Sequence, residues 1–218
     1  MSEPSLGDFP LQIDDILAQI AVRIGERFRG VFGAQTVERY LFESYLDLYR
    51  TARIRRHLPA LAERFAVERL TALAQTRGAL GKPVPGVLFV CAYNAGRSQL
   101  AAALAERYGA GRVQVRCAGS HPADWLDENV LEALGEWDIE VMEAYPKPLT
   151  DEVLHAADVI VTMGCGDACP ILTGKRYVDW PIPDPAGQPM PAVRRIRDDI
   201  DLRVRALIDE LTAAPAGT

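Results

Sequence analysis

No stretch of this chain approaches the ~18 consecutive apolar residues of a membrane-spanning helix, so no span is expected. No run of lysine and arginine forms the stripe that nucleic acid requires, and the 218 residues carry a formal net charge of -6. Histidine is scarce, at three residues, and only His155 lies near a cysteine pair in sequence. A four-ligand structural zinc site is therefore a poor reading, and no metal is expected. Four cysteines (Cys91, Cys117, Cys165 and Cys169) are too few to staple a chain this long. The N-terminus, MSEPSLGDFP, lacks the basic and apolar regions of a secretory signal. These absences predict a cytoplasmic protein with free, redox-capable thiols and neither a nucleic-acid nor a membrane partner. No internal repeat or low-complexity tract is visible.

Hydrophobic residues make up 49% of the chain, enough to build a packed core. Two parts follow from the patterning. Ile13, Ile16, Leu17, Ile20, Ile24 and Phe28 recur at helical spacing, and Gly30 can close that helix. A second helix is expected from a cap at Thr36, with Val37, Leu41, Tyr45 and Leu48 on one face. A third carries Leu58, Leu61, Phe65, Leu70 and Leu73, with Pro59 tolerated in its first turn. Residues 1–80 thus read as a three-helix bundle, and the three glycines and two prolines of 76-TRGALGKPVPG-86 read as a linker.

From Val87 onward the pattern changes to strands alternating with helices. Short apolar runs begin at 87 and at 158, with further strands expected near 113–119, 139–142 and 176–182. Helices are expected over Ser98 to about Tyr108, 127–136 and 191–212. Residues 81–218 therefore read as an α/β domain built on a four-stranded parallel sheet flanked by helices, with ligands at the carboxyl ends of its strands. Cys117 falls inside a strand and reads as core, as do Trp125, Trp137 and Trp180 by packing. His121 reads as a turn residue.

The stretch 90-VCAYNAGRSQLA-101 puts a thiol at a strand end and an arginine at a helix start. The five residues between them, Ala92, Tyr93, Asn94, Ala95 and Gly96, must curl, and their amides then form an anion-binding nest. Gly96 can accept a positive φ, and Arg97 offers a planar donor fork matched to a tetrahedral oxyanion. The same field favours the thiolate, so the loop holds a nucleophile and an oxyanion on one spot. It is not a nucleotide P-loop, because no G-x-x-x-x-G-K-[ST] is present.

This combination resembles the low-molecular-weight protein tyrosine phosphatase superfamily, whose signature is Cys-x5-Arg-Ser between first strand and first helix. The resemblance spans about 86–212 and includes 118-AGS-120 and the Asp-Pro of 183-PDPAG-187. It implies Cys91 as nucleophile, the loop from Ala92 to Arg97 as oxyanion cradle, Ser98 as a hydroxyl near the sulfur and Asp184 as general acid. An acid is needed because an oxygen leaving group departs poorly unless protonated.

Two chemistries share that first attack. A phosphatase hydrolyses its phosphocysteine, whereas an arsenate reductase resolves the arseno-cysteine with a second thiol. Phosphatases acting on phosphotyrosine typically carry a tyrosine after Asp-Pro, and Ala186-Gly187 stands there instead. The segment 161-VTMGCGDACPILTGKRYVDWPIPDPAG-187 is similar to arsenate reductases, in which resolving cysteines precede Cys-Pro and Asp-Pro-Ala-Gly. That makes Cys165 and Cys169 candidate redox thiols, although the Cys-x3-Cys spacing is shorter than in thioredoxin-linked enzymes. The resemblance implies arsenate as substrate, with phosphate or sulfate as mimics. It also implies no tightly bound cofactor and an external reductant, either thioredoxin or mycothiol with mycoredoxin. The N-terminal bundle, which carries no catalytic constellation, is expected to support a homodimer or a docked partner. A non-catalytic oxyanion sensor is the competing class, and the pairing of Arg97 with Asp184 argues against it.

Overall fold

The apolar run at 86–91 becomes a strand with no exposed residue, and the rest of the sheet is built outward from it. The computed structural model describes residues 11–51, 57–141, 144–165 and 169–213. The chain divides into two compact units, Met1–Leu80 and Gly81–Thr218.

The first unit holds three helices, α1 (Leu11–Arg27), α2 (Ala34–Thr51) and α3 (Leu58–Thr76). The three helices pack on one another, and Leu17, Ile20, Ile24, Phe28, Val37, Leu41, Tyr45, Leu48, Leu58, Phe65 and Leu70 are buried in this unit. Ile16 is 41% exposed and lies off the buried stripe. The second helix starts two residues before the expected cap. The amides of Thr36 and Val37 both donate to Gly33 O, at 3.0 and 3.2 Å, so Gly33 supplies the first acceptor and Thr36 sits inside the helix. Arg69 is buried in this unit, with its guanidinium 4.7 Å from the Tyr40 ring centroid and bonded to Ser44 and Glu43.

The second unit runs β1 (Gly86–Cys91), α4 (Arg97–Gly109), β2 (Gln114–Gly119), α5 (Glu128–Gly135), α6 (Asp151–Ala156), β3 (Val159–Met163), β4 (Arg176–Asp179) and α7 (Met190–Thr212). The strands form one four-stranded sheet in the order β2-β1-β3-β4, every pair parallel. Strand residues alternate in direction, so Val87, Phe89, Cys91, Val159, Val161 and Met163 join α4, α5 and α7 in one core. Leu88, Val90 and Ile160 are equally buried but point to the other face. Burial on both faces is why β1 and β3 read as continuous apolar runs instead of alternating ones.

Two sequence expectations need correction. Residues 139–141 form no strand, and residue 142 lies outside the described residues. Gly119 instead makes an isolated parallel bridge to Pro148, which carries the chain past the edge of the sheet. The six-residue helix α6 leaves too short a period to be read from sequence, although Val153 and Leu154 are buried. The last strand also ends early, at Asp179. Trp180 then turns inward with its ring centroid 5.8 Å from that of Phe89, and the chain leaves the sheet toward Asp184.

Candidate active site

Every carbonyl of the loop after β1 is bonded, and the bonds show which way the loop faces. Cys91 O accepts from Ser120 N, Ala92 O from His121 N, Tyr93 O from Ala123 N and Ala95 O from Asp127 N, at 2.8 to 3.2 Å. Asn94 O accepts from the buried Gln99 Nε2 at 2.9 Å. In a trans peptide the next N–H points opposite to the carbonyl. Pinning these carbonyls outward therefore turns the amides of Ala92 to Gly96 toward the centre of the loop. The Asn94 amide shows the result directly by donating to Cys91 Sγ at 3.2 Å. Ser98 Oγ lies 3.0 Å from the same sulfur.

Asn94 makes this geometry possible. Its φ is 47°, a left-handed conformation that asparagine tolerates better than most residues. Its side chain is fully buried and donates to Ser98 Oγ at 2.8 Å. Its Oδ1 accepts from Lys147 N at 3.0 Å and from Gln99 Nε2 at 3.2 Å. Gln99 in turn reaches Tyr145 O. The expected positive φ at Gly96 is absent, since that residue has φ -130°. Glycine is needed there for another reason: a Cβ would lie 2.6 Å from Pro185 Cγ.

Arg97 opens α4 with its side chain almost wholly buried. Its Nη2 donates to Asp184 Oδ2 at 2.7 Å, and Ala186 N donates to the other carboxylate oxygen at 3.1 Å. The other end of the guanidinium rests on Gly164, where a Cβ would come within 2.5 Å of Nη1. Gly164 also has φ +69°, so any side chain there would be both strained and in collision with Arg97.

Cys165 follows Gly164 and lines a pocket of about 460 Å³ with Cys169, Ile171, Tyr177, Asp179 and Trp180. The two thiols share this one pocket. Hydrogen bonding from Cys169 is the main cause that lowers the Cys165 pKa to about 7; burial, the next largest effect, and Asp179 oppose it, and Arg97 lowers it least. The same hydrogen bonding and burial push the Cys169 thiol up. A lowered pKa means ionisation at lower pH, so thiolate chemistry at Cys165 should switch on as pH rises through about 7. Alkylation of Cys165 followed by mass spectrometry should show that midpoint. Cys169→Ala should move it up toward about 8.5, the value of a free thiol. A midpoint that ignores the Cys169 substitution would contradict hydrogen bonding from Cys169.

The structure thus brings Cys91, Ala92 to Ser98 and Asp184 together, and it joins Cys165 to them through Arg97. Cys117 is buried in β2, opposite Phe89. His121 is exposed, and its backbone amide, not its ring, holds the loop. Trp137 and Trp180 pack on the core, but Trp125 is 55% exposed, which corrects its reading as packing. Gln99, Gly164 and Lys147 were missed from sequence, because isolated polar or glycine positions carry no period.

Residues 86–216 match the family model for low molecular weight phosphotyrosine protein phosphatase. Residues 17–74 match the protein-tyrosine-phosphatase-like N-terminal domain. A Halobacterium salinarum protein assigned as an arsenate reductase is 41% identical over 127 residues, which cover 56% of this chain and 89% of that protein. A thioredoxin-dependent arsenate reductase of Corynebacterium glutamicum is 48% identical with a TM-score of 0.82, covering 90% of this chain and 96% of that one. An arginine phosphatase of Geobacillus stearothermophilus is 26% identical with a TM-score of 0.52, covering 58% of this chain and 92% of its own.

Proposed function

We propose, since the chain belongs to the low molecular weight phosphotyrosine protein phosphatase family, that it performs the arsenate-reducing variant of that family's chemistry. The observation that carries this reading is the second thiol pair. Hydrolysis of a phosphocysteine needs water and an acid. It has no use for two cysteines in one pocket, the first of them next to the glycine that meets the oxyanion arginine and with a lowered pKa. A reduction needs that arrangement.

Arsenate enters the nest of inward amides from Ala92 to Gly96 and takes a share of the Arg97 guanidinium. The Cys91 thiolate, held by Asn94 N and beside Ser98 Oγ, attacks arsenic, and an oxygen leaves as water with a proton from Asp184. The Cys165 thiolate then attacks the Cys91 sulfur. The sulfur–arsenic pair stays on arsenic, which departs as arsenite two electrons richer, and a Cys91–Cys165 disulfide remains. Cys169 attacks Cys165, the disulfide moves to Cys165–Cys169, and Cys91 is regenerated. An external dithiol reduces the final disulfide. The similarity to a thioredoxin-dependent enzyme over 90% of this chain supports thioredoxin over mycothiol for that part.

The reading is tested by supplying arsenate with thioredoxin, its reductase and NADPH, and separately with mycothiol and mycoredoxin. Arsenite is expected in the thioredoxin system. Its absence from both would sink the proposal. Aryl or arginyl phosphate turnover that survives replacement of Cys165 and Cys169 by serine would instead favour the phosphatase reading, which the similarity to the arginine phosphatase supports.

A further inference from the structure

Cys165 and Cys169 are anchored to neighbouring strands by different means. Cys165 comes two residues after β3 and inherits its position from the sheet. Cys169 precedes the irregular stretch 170–172, whose first residue, proline, has no amide hydrogen to give. Among the described residues, Lys175 N donates to Leu172 O at 3.3 Å, and the two other hydrogen bonds that fasten that stretch both end on one hydroxyl. Tyr177 Oη donates to Pro170 O at 2.8 Å and accepts from Leu172 N at 3.0 Å. Tyr177 lies in β4, in register with Ile160 of β3, so the clasp is rooted in the strand paired with the one that carries Cys165. Tyr177 and both thiols line the same pocket.

We propose that Tyr177 is a positioning residue for the second thiol transfer: its hydroxyl clasps Pro170 and Leu172 and so holds the Cys169 thiol against Cys165. The inference rests on the thiol relay above. In that step the Cys169 sulfur, having lost its proton, bonds to Cys165 as the Cys91–Cys165 bond breaks. The departing pair goes to the Cys91 sulfur, which takes up a proton, so no outside oxidant is needed. The clasp lowers the entropy lost when Cys169 reaches the disulfide, which raises its effective concentration. The Asp179 carboxylate faces the same pocket, but Thr162 Oγ1 holds it at 2.6 Å, and it makes no bond to the 170–172 stretch among the described residues.

The test uses the full chain with Cys91→Ser, so that Cys165 and Cys169 equilibrate with a glutathione redox buffer without arsenate. Tyr177→Phe keeps the ring and removes both bonds. It should lower the equilibrium constant for the Cys165–Cys169 disulfide roughly tenfold, as expected for the loss of two modest hydrogen bonds. With Cys91 present, one arsenate turnover without thioredoxin should leave Tyr177→Phe enriched in the Cys91–Cys165 disulfide. Phosphate binding should hold and the thermal midpoint should fall by only a few degrees, which separates positioning from damage to the fold. Equal equilibrium constants in the two chains would overturn the proposal, as would a Cys91→Ser parent that forms no Cys165–Cys169 disulfide. A tenfold drop in a protein that makes no arsenite would support the clasp and remove the reductase reading.

Discussion

Serine in place of Cys91 is expected to abolish arsenite formation while leaving oxyanion binding in place. The two properties separate because different groups carry them. The amides of Ala92 to Gly96 are oriented by outward bonds from residues 120–127 and from Gln99, none of which involves the sulfur. Arg97 is held by Asp184 and Gly164. A serine hydroxyl can still accept from Asn94 N, so the cradle survives the substitution. The reaction does not, because an alkoxide is not available at neutral pH and no sulfur remains for Cys165 to attack. Loss of a nucleophile that acts as part of a unit costs on the order of 10⁵-fold or more. Steady-state arsenite production should fall to the uncatalysed background, and arsenate or phosphate titrated by calorimetry should bind within a few-fold of the parent. Persistence of reduction in Cys91→Ser would remove Cys91 as nucleophile in either enzyme reading. Loss of binding together with activity would mean that the sulfur itself organises the loop.

Much of this site could be read from the sequence because its parts are local. A strand buried on both faces is a continuous apolar run, and a thiol at its end followed by an arginine that opens a helix is contained in twelve residues. What supports the loop is not local. Gly119 meets Asn94 because β2 pairs with β1, and Tyr145 and Lys147 reach Gln99 and Asn94 where the chain returns to that sheet edge, next to the Gly119–Pro148 bridge. A backbone carbonyl or amide used as a partner leaves no trace in residue type. Residues 139–141 read as strand for the converse reason: Ile139 and Val141 are apolar, but they pack on the core from a loop. Trp125 was misread because aromatic residues are more often packed than exposed. With Tyr93, it stands exposed near the loop, whose Tyr93 carbonyl is held by Ala123 two residues before Trp125. Gly164 and Tyr177 illustrate a further limit. Each acts on a residue distant in sequence or through backbone atoms, so neither has a motif.

Arg97 links the two halves of the chemistry. One side of its guanidinium meets the acid, Asp184, and the other rests on the residue before Cys165. An anion that draws on this charge acts on both at once. It competes with Asp184 for the donor, and it weakens the field that favours the Cys165 thiolate. In the proposed reaction, occupancy of the loop therefore bears on both Asp184 and Cys165 through this one side chain.

Alanine at Asn94 is the second substitution with a large expected effect, and it acts on stability and catalysis together. The wild-type side chain is fully buried and serves three partners: the Ser98 hydroxyl, the Gln99 amide and the Lys147 backbone amide. Truncation strands polar groups that water cannot easily reach, at about 1–3 kcal/mol for each one left unsatisfied. Alanine must also hold φ 47°, which costs about 1 kcal/mol more than for a residue that tolerates the left-handed region. Part of the loss is recovered as Gln99 keeps its bonds to Asn94 O and Tyr145 O. A net destabilisation of about 3–4 kcal/mol follows, or a thermal midpoint lower by roughly 10 °C. Catalysis should fall further than stability. Asn94 N is the donor to the Cys91 sulfur, and a relaxed loop would move that amide and the whole nest. Misplacement by about 1 Å can cost on the order of 10²-fold in rate. Asn94→Gly separates the two contributions. It removes the strain but not the missing partners, so it should regain about 1 kcal/mol of stability and little activity. Thermal melts and arsenite rates on the three proteins decide the matter. An Asn94→Ala chain with wild-type stability would show that the three side-chain bonds do not hold the loop. Full activity restored by glycine would assign Asn94 to backbone conformation alone.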